Sequence, residues 1–284
     1  MAINLIYNRL PHIGKNKDFS RFIILTYPRT GSNYLIFKLQ FTKKIICYNE
    51  LFYSKNKIVT SYPDLKFKSW VLKYRNQFSN SFLNEIFKSY DDEIKAVGFK
   101  LTYFQNEIFN NKNLIKTLGE KHKVSFIHLK RRNLLECFVS TKLLEKNNIV
   151  YAINSKYLSE FKKNTDRIIL SSELENYSPL VTVDISEFVK YLEKIRNDES
   201  KYNQMIAPFS NMDIYYEDLV QRTDMEINRI GQLLQIPSLT VENKEEFPIE
   251  KLNKKPIREI ISNYSEVEDF LCKNNLEEFI KSEV

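Results

Sequence analysis

Glycine is scarce in this chain, with five in 284 residues, so a glycine inside a motif carries information. No GxxxxGK[ST] string occurs, and no lysine follows the glycine of the one candidate phosphate loop, which argues against Walker-type nucleotide hydrolysis. The three cysteines, Cys47, Cys137 and Cys272, are widely spaced and form no CxxC pair. That argues against a disulfide framework or a structural zinc site and fits a reducing compartment. No apolar run approaches the ~20 residues needed to span a bilayer. Asn4, Asn8 and Arg9 interrupt the N-terminal stretch where a secretory apolar region would lie. The expectation is a cytoplasmic chain without stable membrane insertion. RNP, zinc-finger and helix-turn-helix signals are absent, so no nucleic-acid partner is expected. Internal repeats and low-complexity linkers are absent too, and 1–284 reads as a single domain.

What is present is a globular composition, 43% hydrophobic with 17 Tyr and 20 Phe, and a net charge of +7. Such a balance suits an anionic partner, although where the charges stand matters more than their sum. Short β-branched and aromatic runs at 22–27, 44–48, 94–103, 123–129, 180–183 and 212–216 read as strands. Helical patterns occupy about 34–41, 64–78, 80–90, 111–121, 133–146, 185–205 and 223–235. Residues 49–63, 147–180 and 236–255 are least regular, and short helices follow from 256. Alternating strands and helices predict an α/β fold, a mainly parallel central sheet flanked by helices. In such a sheet, functional residues belong just after the strands.

Two segments stand there. Tyr27-Pro28-Arg29-Thr30-Gly31-Ser32-Asn33-Tyr34-Leu35 joins a strand to a helix. A helix N-terminus offers N–H groups and the positive end of a dipole, Gly31 permits close approach of an anion, and Arg29 adds a cation. Thr30 and Ser32 add hydroxyls. The second segment, Phe126 to Ser140, passes from a strand into Lys130-Arg131-Arg132, with Ser140 eight residues beyond Arg132. Cations at a strand's carboxyl end suit a second phosphate.

Together these segments resemble the sulfotransferase family. Tyr27–Leu35 is similar to its 5′-phosphosulfate loop, and Arg131–Ser140 to its 3′-phosphate motif. Val97-Gly98-Phe99-Lys100-Leu101, Tyr216-Glu217-Asp218-Leu219 and Pro256-Ile257-Arg258-Glu259 with Asn263-Tyr264 resemble segments of its bacterial carbohydrate-acting branch. The resemblance implies a sulfotransferase fold, P-loop-NTPase-like in outline. It implies 3′-phosphoadenosine-5′-phosphosulfate (PAPS) as co-substrate, adenosine 3′,5′-bisphosphate (PAP) as product, no metal, and a hydroxyl-bearing acceptor such as a carbohydrate or glycolipid. By that resemblance Arg29, Thr30, Gly31, Ser32 and Asn33 hold the 5′-phosphosulfate, with Arg29 neutralising the leaving oxygen. Arg132 and Ser140 hold the 3′-phosphate, and Arg131 competes with Arg132 because the double arginine blurs the register. Lys251, Lys254 and Lys255 are candidates to close over the nucleotide or a plain solvated tail.

The acceptor hydroxyl needs a general base. The chain has three histidines, His12, His122 and His128, none where the family's motif would place one, and His128 reads as a packed strand residue. Glu50, just after the second strand, is the candidate base, or else an ordinary loop carboxylate. Lys100 lines the acceptor pocket or caps its strand. The competing functions are a nucleotide-dependent kinase, a non-catalytic anion binder and an inactive sulfotransferase-like protein.

Overall fold

The computed structural model describes residues 15–55, 57–59, 69–108, 114–158, 167–174, 179–241 and 248–280. In chain order the elements are β1 (Ser20–Thr26), α1 (Ser32–Gln40), β2 (Ile45–Cys47), β3 (Glu50–Ser54), β4 (Lys57–Val59), α2 (Ser69–Gln77) and α3 (Ser79–Ile86). Then come β5 (Ala96–Thr102), α4 (Tyr103–Ile108), α5 (Leu114–Glu120), β6 (Ser125–Lys130), α6 (Leu134–Asn147), β7 (Tyr151–Ile153) and β8 (Ile168–Leu170). The chain continues through α7 (Ile185–Ile206), β9 (Asn211–Tyr215), α8 (Tyr216–Gln221), α9 (Thr223–Leu233), β10 (Ile249–Glu250), α10 (Ile257–Ile260) and α11 (Tyr264–Lys273). It divides into two compact units, 1–130 with 198–244, and 131–197 with 245–284.

The first unit carries a five-stranded sheet in the order β2-β5-β1-β6-β9, with every pair parallel. From β1 the chain runs outward to β2, returns to β5, and then crosses to β6 on the other side of β1. The reversal falls beside β1, where an open α/β sheet places its ligand site. Alternation along β1 explains the two covered faces. Phe22 and Ile24 pack with Leu35, Ile36 and Leu39 of α1 and Ile227 and Ile230 of α9. The opposite face holds an aromatic layer in which Phe52 contacts Phe99 and Phe82, and Phe87 stacks on Phe99. Each such fully buried side chain contributes about 1.5–3 kcal/mol.

These five strands lie within two residues of the runs expected from sequence. Two regions differ. Residues 49–63 read as a loop, yet 50–54 and 57–59 form an antiparallel hairpin. Its turn lacks the usual glycine or asparagine-glycine signal, because the hairpin is held from outside. Arg75 of α2, fully buried, donates from Nη1 to Leu51 O (2.7 Å) and Lys57 O (3.2 Å), and from Nη2 to Ser54 O (2.5 Å) and Lys55 O (3.2 Å). Burial lowers the Arg75 guanidinium to about 10. The expected helix over 64–78 is described from Ser69 onward; 60–68 lie outside the described residues, as do 111–113 of the helix expected at 111–121.

The second unit has the three-stranded sheet β10-β7-β8, with β7 parallel to β8 and antiparallel to β10. Phe188 sets its ring edge-on to Phe138 (5.5 Å) and Phe279 (6.1 Å). The strand expected at 180–183 is a single bridge, Val181 to Ile261. Beyond it, the Asn263 side chain replaces a strand partner: Oδ1 accepts from Val183 N (2.9 Å) and Nδ2 donates to Val183 O (3.0 Å).

Candidate functional site

The loop after β1 is built from conformation before it is built from charge. Arg29 (φ 70°) and Gly31 (φ 79°) are left-handed, and Thr30 between them is not. That alternation turns successive N–H groups toward one concavity, a geometry that binds anions. Gly31 is also the N-cap of α1, whose first turn points N–H groups the same way. Only glycine fits here, since a Cβ would stand 2.2 Å from the Tyr216 ring. The Thr30 hydroxyl is fully buried and turned inward, 2.6 Å from that of Thr26, which donates to Leu129 O at 2.8 Å. Thr30 therefore ties the loop to β1 and β6 through its side chain, and what it can offer an anion is its N–H.

The end of β5 brings further residues to this loop. Thr26, the last residue of β1, stands beside Thr102, the last residue of β5. Two positions earlier on β5, Lys100 is 5% exposed, and its Nζ donates to Ser32 Oγ (3.4 Å) and Asn33 Oδ1 (3.5 Å). The same ammonium pairs with Glu50 Oε1 at 2.6 Å. Glu50 Oε2 accepts from Gln105 Nε2. Glu50 is thus a largely enclosed carboxylate, 15% exposed, linked through Lys100 to the loop.

Further along the same sheet edge is a polar network that sequence reasoning missed. His128 is buried in β6; its Nε2 bonds the Tyr103 hydroxyl (2.5 Å) and its Nδ1 faces Asn203 Oδ1 (2.9 Å). Lys130 donates to Asn203 Oδ1 (3.1 Å) and pairs with Asp213 (2.8 Å). Desolvation and then the Lys130 charge lower His128 to about 4, against the pull of Asp213. Burial pushes the Tyr103 hydroxyl far up. The expectation of a packed strand histidine holds, but the packing is polar.

The remaining sequence candidates belong to the second unit. Asn133 caps α6, its Oδ1 accepting from Glu136 N at 3.0 Å. The helix starts at once after that cap, so Ser140 lies about 9 Å along the axis from Leu134. Arg131 forms an ion pair with Glu136 in which the two side chains are 10% and 13% exposed, whereas Arg132 is exposed. Lys251 is held below its ordinary range, first by desolvation, with Glu136 raising it and Arg131 lowering it further. Lys254 pairs with Glu250 and is 58% exposed. Among the described residues no cluster of three His, Cys, Asp or Glu forms a metal site, and no helix is long and apolar enough to cross a membrane.

No family model matches the chain, and no curated protein matches it. Among solved structures it is similar to mouse sulfotransferase SULT7A1 complexed with PAP, at 12% identity over 96% of this chain and 89% of that one, with a TM-score of 0.41.

Proposed function

We propose that this chain is a PAPS-dependent sulfotransferase that moves a sulfuryl group to a hydroxyl of a carbohydrate or glycolipid acceptor. The observation that carries the reading is the shared cation. Lys100 touches the anion loop at Ser32 and Asn33 and the carboxylate of Glu50 at the same time. An enzyme of this kind needs a built anion cradle beside a base, and these residues supply both.

PAPS would supply an activated sulfuryl group. The N–H groups of residues 30–33 hold its 5′-phosphosulfate, with Ser32 and Asn33 presenting polar side chains beside Lys100. Glu50 accepts the proton of the acceptor hydroxyl as that oxygen bonds to sulfur. Arg29 neutralises the phosphate oxygen that leaves with the electron pair of the broken S–O bond. Charge builds on that oxygen, so preplaced donors and cations supply most of the acceleration. In the second unit, Arg132 and Ser140 take the 3′-phosphate. Arg131, which pairs with Glu136, and Lys254, which pairs with Glu250, are the further candidates for holding the nucleotide.

The test is donor binding followed by transfer. PAP at a hundredfold excess over its Kd should stabilise the chain by about 2.7 kcal/mol in thermal denaturation, while ATP–Mg²⁺ should not. The reverse would favour a kinase. Labelled donor with a glycan panel should show transfer, reduced about 10²- to 10³-fold in Arg29→Ala. Transfer undiminished in that variant removes the mechanism.

A further inference from the structure

We propose that Gln105 is a positioning residue for Glu50, a role created by the way α4 is capped. Thr102-Tyr103-Phe104-Gln105 forms a reciprocal helix cap at the end of β5. Gln105 N donates to Thr102 Oγ1 (3.4 Å), and Gln105 Oε1 accepts from Thr102 N (3.0 Å). The T-x-x-Q spacing is that of a capping box. Once the amide oxygen is committed to Thr102, the amide nitrogen has one direction left, and it meets Glu50 Oε2. The side chain is 2% exposed, so water does not compete for that bond.

The consequence is a division of labour across one carboxylate. Gln105, neutral and fixed by backbone, anchors Oε2. Lys100, long and shared with Ser32 and Asn33, holds Oε1. Among the described residues Lys100 is the charged group in contact with Glu50. The Cys47 thiol beside Lys100 is pushed up by burial. When the loop fills with an anion, Lys100 can lean toward it, and Gln105 keeps the carboxylate from following. Oε1 is then the oxygen that receives the acceptor's proton. Thr102 also stands beside Thr26 in the sheet, so the anchor shares a frame with the loop.

This inference rests on the reading of Glu50 as the base, so its test follows the carboxyl group itself. Protein labelled with ¹³C at glutamate carboxyls would be observed by NMR, with the Glu50 resonance assigned by its loss in Glu50→Gln. Gln105→Leu deletes the donor to Oε2 and should move the Glu50 carboxyl resonance. Gln105→Glu sets a second carboxylate against it and should move that resonance further. Gln105→Asn, which retracts the amide, should move it in the same direction and serves if either variant does not fold. Label transfer in Gln105→Leu should fall about tenfold in kcat, with the acceptor KM little changed. An unmoved Glu50 resonance in the folded variants overturns the proposal. PAP binding by wild type and Gln105→Leu should be equal. Failure of the wild type to bind PAP would sink the donor reading alone, since the carboxyl resonance reports on Gln105 separately.

Discussion

The turn after β1 and the turn after β6 are built from different materials. The first is made of backbone: left-handed residues at 29 and 31, a helix N-terminus, and a threonine hydroxyl spent on holding the strands together. The second is made of side chains, Arg131 and Arg132, set ahead of an asparagine cap. A backbone cradle is fixed by conformation and fails when the conformation fails. A side-chain site depends on which cation the neighbouring carboxylates leave available.

Breaking the backbone half should have the largest effect. Gly31→Ala adds a methyl against the Tyr216 ring and forces a left-handed residue with a Cβ. The strain and overpacking together should cost about 2–4 kcal/mol and abolish PAP binding. Thermal melts and calorimetric titration read both. Adding Tyr216→Ala should restore part of the stability without restoring binding. Retained PAP affinity in Gly31→Ala would mean that the cradle is not where the anion sits.

A second effect separates the units by pH. His128 is neutral when folded, with its protonation lowered to about 4, against about 6.5 when unfolded. Between those values the unfolded chain binds the extra proton, so stability falls as pH drops from about 6.5 toward 4. The loss should be about 2–3 kcal/mol. His128→Gln should flatten that slope in denaturant melts, whereas Arg131→Ala, which removes a partner of Glu136, should leave it unchanged. An equal slope in His128→Gln would assign the pH dependence elsewhere.

The smallest effect sharpens the side-chain half. Arg132→Ala should weaken PAP binding about 10- to 100-fold with little change in melting temperature, as a charge-assisted phosphate contact predicts. Arg131→Ala should do the opposite, leaving Glu136 without its ion-pair partner at about 1 kcal/mol while affinity holds. If Arg131→Ala is the variant that loses PAP, the roles of the two arginines are exchanged.

The strands and the loop around Gly31 were legible because runs such as FIILTY and FIHL are local signals, and because one of five glycines sits between a strand and a helix. Glu50 was legible as a residue but not as an environment. Its partners are 50 and 55 positions away, and only the parallel register of β5 brings them in. The hairpin at 50–59 carried no turn signal, since its carbonyls are held by Arg75 rather than by its own sequence. The T-x-x-Q cap was readable at Thr102–Gln105, but a capping box says nothing about what its amide nitrogen will meet. Charge alone could not show that Arg131 pairs with Glu136 five positions on, at the first turn of α6.

Asn263 makes the end of the chain keyed rather than woven. A strand passes a one-residue slip along its whole length, so any insertion upstream would misalign every later pair. A single amide that imitates a peptide unit needs only two atoms in place at Val183. Beyond the Val181–Ile261 bridge, the tail is thus locked at Val183 by one side chain rather than by a continued ladder.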